Sequence, residues 1–316
     1  MGKLASKNIF ITGSTGFIGS NLVRRSLEEG ADVHIITRNR SNKWRLNDIL
    51  GDLNEYHTDL TNYDRLSSII REVEPSIIFH LATYGGDPSQ KDTKKIIESN
   101  LIGTVNLVNA CKKMGFDILV NTSSSSEYGI KSKSMYESDL LEPVNDYGVS
   151  KAAATLYCQA IAKKENLPIV TLRLFSPYGY YEGKNRLIPS VILACLEGKN
   201  PKVSSPNFVR DFVFIEDVMD SYVSLTETSD LLGDIFNIGS GNQHNIGEVV
   251  KIVMDLTGKI VKPEWILASK WSEEPDKWEA NISKANEYLR WGPKFNLERG
   301  LAKTVEWFAE KRFLYE

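Results

Sequence analysis

Long apolar runs are missing from this sequence, and none is long enough to span a bilayer. The first residues, Met1 to Lys7, lead into a strand without the apolar stretch and small-residue cleavage site of a secretory leader. Cysteine is scarce: Cys111, Cys158 and Cys195 are odd in number and far apart, which suits reduced core thiols better than disulfides. Histidine is nearly as scarce. His34, His57, His80 and His244 never stand with Cys or carboxylates at ligand spacing, so no metal site is expected. Charge of one sign is lacking too. The 38 basic and 41 acidic residues leave a net charge of -3, with no general attraction to nucleic acid or an anionic membrane. These absences point to a cytoplasmic protein whose partners are neither nucleic acids nor membranes. Linkers, internal repeats and low-complexity tracts are also missing, so any second lobe should pack closely on the first.

What is present describes an ordinary globular chain: 316 residues, 41% hydrophobic and 25% charged, enough for a large core with a smaller lobe. Asn8 to Thr12 reads as a buried strand, broken at Gly13-Ser14-Thr15-Gly16-Phe17-Ile18-Gly19, with Ser20 to Glu29 helical. The glycines follow a G-x-x-G-x-x-G spacing, a variant of the dinucleotide fingerprint. Gly13 would permit the tight turn, Gly16 the approach of a pyrophosphate, and Gly19 the packing of helix on strand. A second strand, Asp32 to Thr37, should end at an adenosine ribose. No acidic residue follows it; Thr37-Arg38-Asn39-Arg40 stands there, and Arg38 offers a charged fork for a 2′-phosphate. The competing reading makes Arg38 and Arg40 solvated loop charges.

Further strands are expected near Glu55–Thr58, at Ser76–Ala82, Ile118–Thr122 and Ile169–Leu174, with helices at Tyr63–Val73 and across Asp92 to Lys113. Strands alternating with helices imply an α/β fold with a doubly wound parallel (Rossmann) sheet. Beyond it, prolines from Pro177 to Pro293 break shorter elements. At Asp59-Leu60 a carboxylate could reach the adenine amino group, and the small Ala82-Thr83 end would let a cofactor lie close to the backbone. Four serines, Ser123 to Ser126, end a central strand, where a hydroxyl can donate to a substrate oxygen. Tyr147 and Lys151 stand four apart, one helical turn, so the ammonium can favour an ionised phenol. By itself such a pair is also a common surface arrangement.

The ordered set of these signposts resembles the extended short-chain dehydrogenase/reductases of the sugar-nucleotide epimerase/dehydratase kind, over nearly the whole chain. It comprises Thr12-Gly13-x-x-Gly16-x-x-Gly19, Asp59-Leu60, His80-Leu81-Ala82, Asn100, Ser123-Ser124 with Tyr128-Gly129, and Tyr147-x-x-x-Lys151. Arg173 to Gly179, Arg210 to Val218 and Asn237 to Gly241 follow in family order. The resemblance implies a dinucleotide-binding domain over 1–172, with a return segment near 212–236, and a smaller C-terminal substrate-binding lobe over 173–316. It implies Tyr147 as general acid/base, Lys151 as the residue that lowers its pKa, and Ser124 as the hydroxyl on the reacting oxygen, with Ser123, Ser125 and Ser126 as alternatives. Cofactor contacts are then expected at Gly13, Thr15, Gly16, Phe17, Ile18, Gly19, Arg38, Asp59, Leu60, Leu81, Ala82, Thr83, Asn100, Thr122, Tyr147 and Lys151. Substrate contacts are expected at Ser124, Ser125, Ser176 and Arg210.

Departures from the family pattern narrow the reaction. The Asp-Glu pair that 4,6-dehydratases of this family carry is replaced by Ser125 and Ser126, with Glu127 out of register by one, which disfavours dehydration. Ser176 replaces a common Asn, and Trp271, beside Lys270, stands where a second phosphate-binding Arg is expected. The sequence reading is an NDP-sugar 4-keto-(deoxy)hexose reductase, with NADP(H) favoured through Arg38 and NAD(H) as the alternative. The competing readings are an NDP-sugar 4-epimerase with tightly bound NAD and a non-catalytic dinucleotide-binding scaffold. The apolar face after Lys151, paired with the helix around Asn100 to Ala110, implies a homodimer, as in relatives.

Overall fold

A computed structural model describes residues 2–87, 89–266 and 275–316. Alternation along the strands builds the core. In β1 (Asn8–Thr12), Ile9 and Ile11 face one layer of apolar packing while Phe10 faces the other. α1 (Phe17–Glu28) follows, then β2 (Asp32–Thr37), β3 (Asn54–His57), α2 (Tyr63–Val73) and β4 (Ile77–His80). The stretch read as one helix from Asp92 is three pieces: α3 (Thr93–Ile97), a π-helical turn (Glu98–Ile102) and α4 (Gly103–Cys111). β5 (Ile118–Ser124), α5 (Asp146–Glu165) and β6 (Ile169–Leu174) complete the regular alternation.

The chain then leaves the sheet through β7 (Ser176–Tyr178), α6 (Leu187–Leu196), β8 (Lys202–Ser204) and β9 (Val209–Phe214), and returns through α7 (Ile215–Leu225) and β10 (Ile235–Ile238). It ends with β11 (Gln243–Asn245), α8 (Ile246–Thr257), β12 (Glu264–Ile266), α9 (Ser283–Leu289) and α10 (Leu297–Glu310). Seven strands form one parallel sheet in the order β10-β6-β5-β4-β1-β2-β3. α1 packs with α7, while α2, α4 and α5 pack together. Residues from α1 and α7 join one core cluster and residues from α2, α4 and α5 the other, so the two sets cover opposite faces of the sheet. This is the doubly wound fold, and the strand order reverses between β1 and β4, where ligands bind above the carboxyl ends. Beside it lie a three-stranded sheet (β11-β9-β7) and the β12-β8 pair. Among the described residues no helix is long and apolar enough to cross a membrane.

Candidate active site

The glycine turn is fixed by close approach. Gly13 has φ +71, and a Cβ there would lie 2.5 Å from the Ala82 amide nitrogen; one on Gly19 would lie 2.2 Å from the Gly13 carbonyl oxygen. Only glycine lets the β1 exit, the α1 start and the β4 exit meet in this way. Thr12 completes the seam by accepting through its hydroxyl from the Leu81 and Ala82 amides, both at 3.2 Å. With those lone pairs taken, its proton goes to Nδ1 of His80, 2.7 Å away, and Nε2–H of His80 faces the Thr104 hydroxyl at 2.8 Å. Burial holds this imidazole neutral, with its pKa pushed down to about 3. Helix α1 begins with Gly16 as its N-cap, half-buried Phe17 and Ile18 opening its first turn. The buried Ser14 hydroxyl has no hydrogen-bond partner among the described residues. A glycine turn opening onto a helix N-terminus has the form of a phosphate cradle of the dinucleotide type. Arg45 closes it from the side, donating to the Thr15 carbonyl at 3.3 Å and the Tyr181 carbonyl at 2.7 Å.

The ends of β2 and β3 carry the residues expected to meet an adenosine. Thr37 donates to Glu55 at 2.6 Å, and Lys43 pairs with the same carboxylate at 2.9 Å. A carboxylate therefore does stand at this end, supplied by β3 rather than by the residue after β2. Arg38 is exposed and its nearest acidic partner is Asp59 at 4.0 Å. Asp59 also caps Thr61, while Leu60 is buried under Gly103.

The second half of the site lies where β5 meets α5. Asn145 caps α5 by accepting from the Gly148 amide at 2.8 Å, which places Tyr147 in the first turn. The phenol is half-buried. It interacts with the Ser124 hydroxyl at the end of β5 and with the Thr83 hydroxyl beyond β4. Burial raises its pKa, these two hydroxyls pull it back, the Glu127 charge raises it and Arg186 lowers it. Gly85 and Gly86 lie over the ring; a Cβ on Gly86 would sit 3.9 Å from the phenol oxygen. Lys151 is buried, donates to the Thr122 carbonyl at 2.5 Å, and burial lowers its pKa to about 8. The Thr122 side chain points elsewhere, sharing a hydrogen with Tyr222.

Asn100 sits in the π-helical turn and is fully buried. Its amide donates to the Tyr84 carbonyl and the Ser150 hydroxyl, both at 2.8 Å; its oxygen accepts from the Tyr84 amide at 2.8 Å and the Thr83 hydroxyl at 3.1 Å. With four bonds made and the side chain fully buried, Asn100 has no polar group left for the direct cofactor contact expected of it, and it instead joins Thr83 and Tyr84 to Ser150, the neighbour of Lys151.

Ser125 is buried, while Ser126 donates its amide to the Ser124 hydroxyl at 3.1 Å. Glu127 is fully buried in an ion pair with Arg173 at 2.6 Å, so it presents no free carboxylate to a substrate. Ser176 opens β7, just past Leu174, which pairs with Ser124. Arg210 lies on β9 in the lobe, its guanidinium 5.3 Å from the Trp278 ring centroid. Lys270 and Trp271 lie outside the described residues. Sequence reasoning missed Arg45, Glu55, the Gly85-Gly86 pair, Arg173 as partner of Glu127, and Arg186, which donates to the Gly86 carbonyl at 3.2 Å. Only the paired glycines carried a local signal.

A model of the NAD dependent epimerase/dehydratase family matches residues 9–239. UDP-glucuronate 4-epimerase of Thermodesulfobacterium geofontis is 30% identical over 315 residues, covering 95% of both chains. The crystal structure of UDP-glucuronic acid 4-epimerase from Bacillus cereus, in complex with UDP-glucuronic acid and NAD, superposes with a TM-score of 0.85 at 27% identity, covering 96% of this chain and 99% of that one. dTDP-glucose 4,6-dehydratase from Bacillus anthracis, in complex with NAD, gives 0.87 at 27% identity and 98% coverage of each.

Proposed function

The chain belongs to the NAD dependent epimerase/dehydratase family, and within it we propose an NDP-sugar 4-epimerase that keeps its NAD through turnover. One observation carries the reading: the phenol of Tyr147, the hydroxyl of Ser124 and the buried ammonium of Lys151 share one end of the sheet with the Gly13–Gly19 cradle. NAD held there supplies a hydride acceptor and donor. Tyr147 takes the proton of the sugar hydroxyl when the carbon is oxidised and returns it on reduction. Ser124 holds the reacting oxygen. Lys151 carries its charge below about pH 8 and stands one turn from Tyr147 on α5. A cation in that place would favour the phenolate, although in this structure burial leaves the phenol raised.

Epimerisation asks for no second acid–base pair, and Glu127, the carboxylate nearest the dehydratase positions in the chain, is taken up by Arg173. The 4-epimerase relatives support this reading over the keto-sugar reductase that the sequence alone favoured. The solved relatives that hold NAD support that cofactor as well. The reductase reading keeps one observation in its favour: the Arg38 side chain is exposed, and among the described residues its ion-pair partner is Asp59 at 4.0 Å. Mass spectrometry of small molecules released from the purified protein, followed by NMR of UDP-sugars incubated without added cofactor, separates the two. Retained NAD with interconversion of C4 epimers is expected. An empty or NADP-loaded protein that consumes a 4-keto sugar only with NADPH would replace this reading with the reductase.

A further inference from the structure

A fully buried carboxylate beneath the reacting groups has no part in the chemistry above. Glu127 accepts from the Arg173 Nε at 2.6 Å, from the Thr155 hydroxyl at 2.6 Å, and from the Ser123 hydroxyl. These partners come from three elements. Ser123 stands in β5 between Thr122, whose carbonyl holds Lys151, and Ser124, which faces Tyr147. Thr155 is one turn beyond Lys151 on α5. Arg173, on β6, is itself fully buried and donates to the Tyr128 hydroxyl at 2.9 Å. The Tyr128 hydroxyl in turn donates to Asn237 at 2.7 Å.

We propose that Glu127 is a positioning residue of the reaction: it clamps the end of β5 to α5 from below and thereby sets Ser124 against Tyr147 and Lys151. A buried charge is costly unless paired and hydrogen-bonded, and this one spends its bonds on residues next to the reacting ones. The clamp works through geometry, because Ser123 and Thr155 have one acceptor in common and neither can shift without losing it. It also works through charge. On Tyr147, Glu127 is the carboxylate that opposes ionisation, against Arg186 from the start of α6 and the Ser124 and Thr83 hydroxyls. On Lys151 it acts with Cys158 of α5 to retain the proton, while burial removes it; His80 of β4, neutral, faces the same ammonium.

The inference rests on Tyr147, Ser124 and Lys151 being the reacting groups, so its test must read Tyr147 without depending on which sugar is turned over. Ultraviolet difference titration of the holoprotein against its Tyr147→Phe variant isolates the Tyr147 phenol. In a Glu127→Gln background, loss of the carboxylate and the excess charge left on Arg173 act together, so the phenol should titrate lower by about one pH unit. The kcat should fall by about tenfold or more, with KM and the NAD dissociation constant little changed. An unmoved midpoint would overturn the proposal, whatever happens to kcat. Should Glu127→Gln fail to fold, Ser123→Ala/Thr155→Val cuts the clamp while leaving the ion pair intact. It should lower kcat without raising KM, and full activity in that double variant would equally overturn the proposal. Loss of the epimerase reading would show separately, as an active Tyr147→Phe protein.

Discussion

At the scale of single residues, the site depends on opposing environmental effects on two groups one turn apart. Burial pushes Tyr147 up and Lys151 down to about 8, which draws apart two titration ranges that nearly coincide in water and disfavours the charged form of each. Neighbouring hydroxyls then lower the phenol, and the nearby carboxylate raises the amine. Tyr147→Phe keeps the ring under Gly85 and Gly86 but removes the proton, so turnover should fall by at least ~100-fold, with NAD affinity retained. Steady-state rates beside calorimetric titration of NAD check both halves of that expectation. The pair and its serine were legible because local spacing encodes them. Arg173 as the partner of Glu127 was not, since the two are 46 positions apart and only the β5–β6 pairing joins them. The reading of Glu127 as a residue one place out of register missed that burial, not register, removes it from the substrate. Glu55 was not legible for a similar reason: the β2–β3 pairing, and not chain order, brings its carboxylate beside Thr37.

At the scale of elements, regular strands and amphipathic helices followed from periodicity to within a few residues, and the differences have causes. Helix α1 starts at Phe17 rather than Ser20, because Gly16 already has the extended backbone of an N-cap, φ -77 and ψ 175. The helix read across Asp92 to Lys113 is interrupted at Glu98–Ile102 by a π turn, which no side-chain pattern announces. That turn places Asn100 where its amide joins the loop after β4 to α5. Asn100→Ala would strand the Tyr84 amide and carbonyl and loosen Thr83. We expect a loss of about 2 kcal/mol or more in unfolding free energy, measured by urea denaturation, with a fall in kcat. Unchanged stability would mean that water replaces the amide there. The short strands β7, β8, β11 and β12 were not legible at all, since three-residue segments carry no usable period.

At the scale of the whole molecule, α5 and the turn before α4 leave apolar side chains outside. Leu156 is 55% exposed, Val149 45% and Ile102 43%. Exposed apolar surface of this kind on neighbouring helices fits a second copy of the chain packing there. A homodimer at micromolar concentration is expected by light scattering, and Leu156→Glu should shift it toward monomer; a monomeric parent protein would remove the proposal. Six of the sheet's seven strands and the doubly wound order were legible, because alternating strands and helices admit few other arrangements, while β10 was foreshadowed only as a return segment near 212–236. The lobe was legible only as a place where proline breaks the pattern.

The seventh strand of the main sheet arrives late in the chain, and that order matters during synthesis. Strand β6 is buried along its entire length, yet its outer edge is covered only by β10, made after all of β7, β8 and β9. A growing chain therefore carries an apolar, hydrogen-bond-hungry edge past the ribosome exit while much of the lobe is still being translated. The same pairing sets Asn237 opposite Arg173, so the buried guanidinium gains its full set of neighbours only when that late strand docks. Nascent chains stalled before Ile235 should be sticky and inactive, and the final closure of the sheet and the maturing of the catalytic floor become one event.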